Sequence, residues 1–204
     1  MPSVSLTLLA DGSSDRVLLP FIEMLMDRHC PEPFLTRFAD GLPPSARTTG
    51  ERMRAAVALY PCDMLFVHRD AENTDVPTRE SEIRLGLQGL SPAPSLIRVI
   101  PVRMTEAWLL TSEAAIRAAV GNPNGSVELN LPPVARLESV EAKDVLFRAL
   151  EAAKDLGARR RRRFKPEAYR HRVAELFQDI GSLQRLPSFR HLESQVSAFF
   201  ELRP

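Results

Sequence analysis

The sequence predicts an α/β fold: a mostly parallel four-stranded sheet flanked by helices, followed by a C-terminal helical sub-domain. Three observations predict it. Four short apolar runs alternate with helix-spaced patterns over the first 120 residues, the order that favours parallel strands covered on both faces. A break at residues 121–133 contains Asn-Pro-Asn-Gly and then Leu-Pro-Pro, which marks a boundary. Beyond it every pattern is helical. Residues 1–120 are therefore assigned to the α/β domain and residues 121–204 to a basic helical sub-domain.

The elements follow in order. Val4 to Ala10 has the content of a short buried strand. Asp11-Gly12 turns the chain, and Ser13 or Ser14 can cap the next helix. In that helix Val17, Leu18, Phe21, Ile22, Leu25 and Met26 recur at helical spacing, and Pro31 and Pro33 stop it. Phe34 to Phe38 reads as the second strand. Thr49 to Tyr60 reads as a helix with Met53, Ala56, Val57 and Tyr60 on one face. Met64 to His68 is the third strand, Arg79 to Leu87 a helical segment, and Leu96 to Val102 the fourth strand. Helical patterns resume at Thr105–Leu110 and Ser112–Val120. In the C-terminal part they cover Ser139–Leu156, Pro166–Ile180 and Gly181–Phe200.

With 204 residues, 44% of them apolar and 26% charged, the chain can bury a sizeable core. The net charge of +1 hides an uneven distribution. Residues 131–204 hold 15 Lys+Arg against 10 Asp+Glu, and residues 1–130 hold 12 against 16. An acidic half joined to a basic half suits a metal-holding site beside a surface for a polyanion. Cys30 and Cys62 lie in no zinc-ligand spacing, which points to a reduced, cytoplasmic protein. No stretch reaches the roughly 20 apolar residues of a membrane span, so no membrane association is expected.

Three acidic groups each follow an apolar run. Asp11 and Asp15 lie in Leu-Leu-Ala-Asp-Gly-Ser-Ser-Asp, Asp70 and Glu72 in Val-His-Arg-Asp-Ala-Glu, and Glu106 in Arg-Met-Thr-Glu-Ala-Trp. Parallel strands would bring their carboxyl ends to one sheet edge, where open α/β folds place ligands. Carboxylates gathered there repel unless a cation sits between them, and a hard divalent ion takes oxygen ligands. Mg²⁺ or Mn²⁺ is the expected cofactor. Asp70-Ala-Glu72 is the most specific of these signals, because side chains of an extended chain alternate and the two acids share a side. Each acid also has a plainer reading: Asp11-Gly12 as a turn, Asp15 as a helix-start residue, Glu106 as the first residue of a helix after Thr105, and Asp70 and Glu72 as part of a solvated loop. Arg69 and Arg103 beside the acids could bind a phosphate or neutralise the cluster. His68 suits either proton transfer or a strand-end core position.

The other strong feature is Arg159, Arg160, Arg161, Arg162 and Arg163, with Lys165 close by. Five adjacent arginines suit contact with a nucleic-acid backbone, or form a solvated turn. Phe164 and Tyr169 could stack on bases or pack in the adjoining helix. A phosphate loop of the Gly-x-x-x-x-Gly-Lys-Ser/Thr type is missing, as are Gly-x-Ser-x-Gly and a Cys–His pair, which excludes that type of ATPase site and argues against covalent nucleophilic hydrolysis.

An acid-Gly near the N-terminus and an Asp-x-acid after a strand, on such an alternating core, resemble the Toprim domain. That domain is shared by primases, topoisomerases and nucleases, among them nucleases of the overcoming-lysogenization-defect type. The chain is also similar to a Toprim-like bacterial family, domain of unknown function forty-two seventy-six. The similarity lies in Leu-Ala-Asp-Gly-Ser-Ser-Asp, in Glu-Ala-Trp-Leu-Leu after Arg103, and in Leu186-Pro-Ser-Phe-Arg-His-Leu. The resemblance implies a Toprim/Rossmann-like fold and a metal-dependent nuclease acting on DNA or RNA. Asp11, Asp15, Asp70 and Glu72 would hold the metal, with Asp11, Asp70 and Glu106 catalytic. Arg69, Arg103, Arg159–Arg163 and Lys165 would bind nucleic acid. It further implies work in phage defence beside a partner ATPase.

The chain departs from the family pattern in three ways. Aspartate stands at 11 where glutamate is usual, Asp-Ala-Glu replaces Asp-x-Asp, and no lysine precedes Lys143. Arg69, Arg103 or His68 would have to serve for that lysine. These departures keep open an alternative, a degenerate, non-catalytic Toprim that binds nucleic acid or a partner. A metal-dependent phosphotransfer enzyme on a small substrate is a third option. Tyr60 and Tyr169 lack the context of a topoisomerase nucleophile.

Overall fold

The computed structural model describes residues 4–69, 76–89, 91–100 and 105–202. The chain divides into two compact units, residues 1–101 with 191–204, and residues 102–190.

In the first unit β1 (Val4–Leu9), β2 (Phe34–Phe38), β3 (Met64–His68) and β4 (Ser95–Val99) form one sheet in the order β2-β1-β3-β4. All three pairings are parallel. The protein is thus α/β with an all-parallel four-stranded sheet flanked by helices, as the alternating pattern predicts. The strands are short and nearly continuously apolar because both sheet faces are covered. Leu6, Leu8, Met64 and Phe66 are fully buried on one face. Leu9, Leu65 and Val67 alternate to the other and join Met53, Ala56 and Ile83 in one core cluster. Burying a side chain such as Phe66 contributes about 1.5–3 kcal/mol.

Three helices connect the strands: α1 (Leu19–His29), α2 (Thr49–Leu59) and α3 (Val76–Gly86). A 3₁₀ segment, Ser13–Leu18, leads into α1, whose buried stripe is Phe21, Ile22, Leu25 and Met26. Thr48 and Glu51 start α2 reciprocally. The Thr48 hydroxyl accepts from the Glu51 N–H at 3.2 Å, and the Glu51 carboxylate accepts from the Thr48 N–H at 2.9 Å. α2 and α3 approach closely at two glycines. A Cβ on Gly86 would lie 2.4 Å from Met53 Sδ and 3.3 Å from the Gly50 Cα.

The second unit is helical: α4 (Glu106–Leu109), α5 (Glu113–Ala119), α6 (Ala142–Lys154), α7 (Ala158–Arg161), α8 (Arg170–Glu175) and α9 (Ile180–Leu183). α10 (Pro187–Glu201) begins in this unit, and its residues from His191 onward belong to the first. α4 and α5 pack against α6 and α8, so the unit begins at residue 102 rather than at the break over residues 121–133. Three long helical stretches were expected here, and local stops divide them. Pro166 opens a 3₁₀ segment, Pro166–Tyr169. The Asp179 carboxylate caps α9 by accepting from the Ser182 N–H at 3.1 Å, and Pro187 starts α10.

Candidate active site

The chain runs from β1 to β2 on one side of the sheet, and its later strands β3 and β4 lie on the other. The gap between the carboxyl ends of β1 and β3 is therefore the topological switch point, the position at which open parallel sheets bind ligands. The register pairs Leu9 with Val67. Continuing it two residues sets Asp11 opposite Arg69.

Asp11 Oδ1 lies 3.0 Å from Arg69 Nη1 and 3.7 Å from Arg52 Nη1. Arg52, on α2, also donates from Nη2 to the Ala10 carbonyl at 2.6 Å, which ties α2 to the end of β1. The second arm of Arg69 is 3.8 Å from Glu82 Oε1 on α3. Thr49, the first residue of α2, donates its hydroxyl to the same Glu82 oxygen. Arg69 Nε is buried without a hydrogen-bond partner. Arg52, Thr49 and Glu82 were not among the sequence candidates, since only the folded helices bring them to this edge. The Asp11 side chain remains 45% exposed. Beside it opens a cleft of about 380 Å³, lined by residues 10–13, residues 38–44 and Arg52. At its β2 side Asp40 pairs with Arg16 and accepts the Tyr60 hydroxyl at 2.9 Å. Asp40 thereby pushes the Tyr60 phenol above its ordinary pKa, because an anion held by the O–H disfavours a second negative charge.

Asp15 is held locally. Its Oδ2 accepts from the Gly12 N–H at 3.0 Å and its own N–H donates to the Gly12 carbonyl at 3.2 Å. That is the helix-start arrangement anticipated as its plainer reading. His68 is buried, and its Nδ1 faces the Val99 carbonyl at 3.0 Å, so that nitrogen carries the proton. Asp70, Glu72 and Arg103 lie outside the described residues. Among the described residues no three His, Cys, Asp or Glu side chains gather as a metal cradle. Asp11, the part-exposed carboxylate at this edge, offers oxygen, the donor type a hard cation such as Mg²⁺ or Mn²⁺ takes, and two guanidinium groups already face it.

Glu106 is in the second unit, as the first residue of α4. It is buried, and Oε1 sits 2.9 Å from Arg170 Nη2. Next to it Trp108 Nε1 donates to Ser188 Oγ at 2.9 Å, and the Ser188 hydroxyl donates to Glu138. Trp108 also packs edge-on against Phe189, ring centroids 5.3 Å apart. Arg159 to Arg163 occupy α7 and the turn after it. All five, and Lys165, are exposed, and among the described residues none of the six makes an ion pair. Phe164 and Tyr169 are half-buried with ring centroids 5.0 Å apart, so they stack on each other.

No helix among the described residues is long and apolar enough to cross a membrane. Comparisons of the chain with protein-family models, with curated proteins and with solved structures found no match.

Proposed function

We propose that the protein is a metal-dependent nuclease that hydrolyses phosphodiesters of DNA or RNA at a Toprim-like acidic site. The observation that carries this reading is the placement of a half-exposed Asp11 at the switch point of a parallel sheet. Arg69 stands opposite it, and Arg69 is followed in sequence by Asp70-Ala-Glu72. Asp11, Asp15, Asp70 and Glu72 would hold Mg²⁺ or Mn²⁺, which supplies charge neutralisation and an acidified water when bound. Arg52 and Arg69 orient the phosphate through planar, bidentate guanidinium groups, and Arg103 adds to them. Arg159–Arg163 and Lys165 hold the polyanion backbone, and having no ion pair among the described residues suits them to it. On this reading the protein works in the cytoplasm, in phage defence beside a partner ATPase.

One observation favours the alternative, a non-catalytic binding module. Two guanidinium groups already share Asp11 Oδ1, and Asp15 serves its own helix start. Purified protein incubated with single- and double-stranded DNA and RNA, with Mg²⁺, Mn²⁺ or chelator, separates the two. Metal-dependent cleavage that disappears in Asp70→Ala supports the nuclease. Nucleic-acid binding that is indifferent to chelator, with no cleavage, supports the module.

A further inference from the structure

We infer that the cleft beside Asp11 is a ribonucleotide subsite in which Asp40 accepts the ribose 2′-hydroxyl, so that the site reads RNA rather than DNA. This rests on the phosphodiester reading of the site and needs no metal. Asp40 is the second residue past β2, whose pairing with β1 runs on to Ala39, where the N–H donates to the Leu8 carbonyl at 2.8 Å. Because β2 lies next to β1, Asp40 and the Asp11-Gly12 turn line one cleft. The Asp40 carboxylate is fixed on two sides. Oδ1 accepts the Tyr60 hydroxyl at 2.9 Å, and Oδ2 pairs with Arg16. Arg16 is itself seated, with Cζ 4.3 Å from the centre of the Phe38 ring and over its face. The Asp40 side chain still stays 57% exposed. An ionised carboxylate has about four acceptor directions and no donor. Two are taken here, and the others are open to an O–H or N–H of a ligand.

The rest of the lining narrows the ligand. Arg52 is the cation among the described lining residues, and it only donates. Leu42, Pro43 and Pro44 give the cleft an apolar wall. Its volume of about 380 Å³ falls in the range of small-molecule sites. A matching ligand carries an anion for Arg52, an apolar face for the wall and a hydroxyl donor for Asp40. A ribonucleotide has all three, and a deoxynucleotide lacks the last. Open parallel sheets that bind nucleotides divide the labour in the same way, with phosphate near the turn after the first strand and an acid further on that takes the ribose hydroxyl. The 2′-hydroxyl is also the group by which a protein tells RNA from DNA. Asp40 repels a phosphate, which sets the direction in which the nucleotide lies.

The test titrates the isotope-labelled full chain, in chelator, with a uridine trinucleotide and with its 2′-deoxy and 2′-O-methyl counterparts. Binding is followed at the Gly12 and Gly41 amide resonances. The parent should bind the ribo form roughly five- to tenfold more tightly than either counterpart, as befits one hydrogen bond to a part-exposed carboxylate. The methyl form tests that contact without any substitution. Asp40→Asn should bring the ribo-to-deoxy ratio to within about twofold of unity. Arg52→Gln should weaken both forms and leave the ratio unchanged, because it acts on the phosphate. The amide spectrum of each variant confirms its folding. A parent that binds the ribo and deoxy forms equally, or an Asp40→Asn that keeps the preference, overturns the inference and leaves the phosphodiester reading standing. No binding of either form at the cleft, with no cleavage of RNA or DNA, overturns both. Uridine monophosphate that binds as tightly as the trinucleotide, with the same dependence on Asp40, keeps the hydroxyl contact and moves its source from an RNA chain to a free nucleotide.

Discussion

Glu106 Oε1 and Arg170 Nη2 meet at 2.9 Å inside the helical unit, with both side chains largely buried. Residues 64 positions apart in the chain thus neutralise each other between α4 and α8. Desolvation makes such a pair weak evidence of net stability, but removing one partner strands a buried charge. Arg170→Met should cost about 3–5 kcal/mol, measured as a shift of the urea midpoint. Adding Glu106→Gln to it should restore a large part of that loss. A loss of activity on substituting Glu106 alone is to be compared with this stability loss before it is assigned to chemistry.

The outer edge of β4 is closed by one side chain. Gln195 Oε1 accepts from the Arg98 N–H at 3.0 Å, and its Nε2 donates to the Arg98 carbonyl at 3.0 Å. The amide thereby pairs with the strand as a neighbouring strand would. Unpaired edges invite association with other chains. Gln195→Ala should lower stability by about 1–2 kcal/mol through the lost hydrogen bonds. It should also raise the sedimentation-detected fraction of dimer or larger species. A monomer unchanged at high concentration would remove the edge-closing role.

Glu51 links helix α2 to pH. Backbone N–H groups of Thr48 and Arg47, first Thr48, hold its carboxylate below the usual carboxylate range. The folded state therefore favours the charged form more than the unfolded chain does. Its contribution is complete above the unfolded value near pH 4.3 and is lost as pH falls through the lower folded value. The difference in urea midpoint between parent and Glu51→Gln should be constant from pH 7 to about 5 and shrink toward zero in more acidic solution. A difference that does not change with pH would show that the Glu51 contribution does not come from its ionised carboxylate.

Much of the fold was legible because its signals are local. The runs around Leu6, Phe66 and Ile97 are unbroken apolar stretches of strand length, and the intervening stripes have helical spacing. The Asp15–Gly12 arrangement was readable for the same reason, since it spans three residues. The helical unit was less legible. Its apolar periodicity runs on through Asp179 and Pro187, where the backbone stops, and periodicity alone carries no mark of those stops. The site was half legible. Asp11 and Arg69 follow apolar runs, but Arg52, Thr49 and Glu82 reach them only once α2 and α3 are packed on the sheet. Arg170 was hidden for the same reason.

That packing depends on Gly86. Its Cα sits where a side chain would meet Met53 Sδ at 2.4 Å and the Gly50 backbone at 3.3 Å. Helix propensity alone would favour alanine there by up to about 1 kcal/mol, so the close approach opposes propensity. Gly86→Ala should be destabilising by about 1–3 kcal/mol, because the added methyl makes the buried Met53 side chain or the Gly50 backbone give way. A shift of α3 from α2 should also pull Glu82 from Thr49 and Arg69. Met53→Ala in the Gly86→Ala background vacates the Sδ position, so the double variant should lose less stability than the sum of the two single ones, even though it opens a cavity. An unchanged thermal midpoint in Gly86→Ala would mean that propensity outweighs the contact and that α3 has room to retreat without disturbing Glu82.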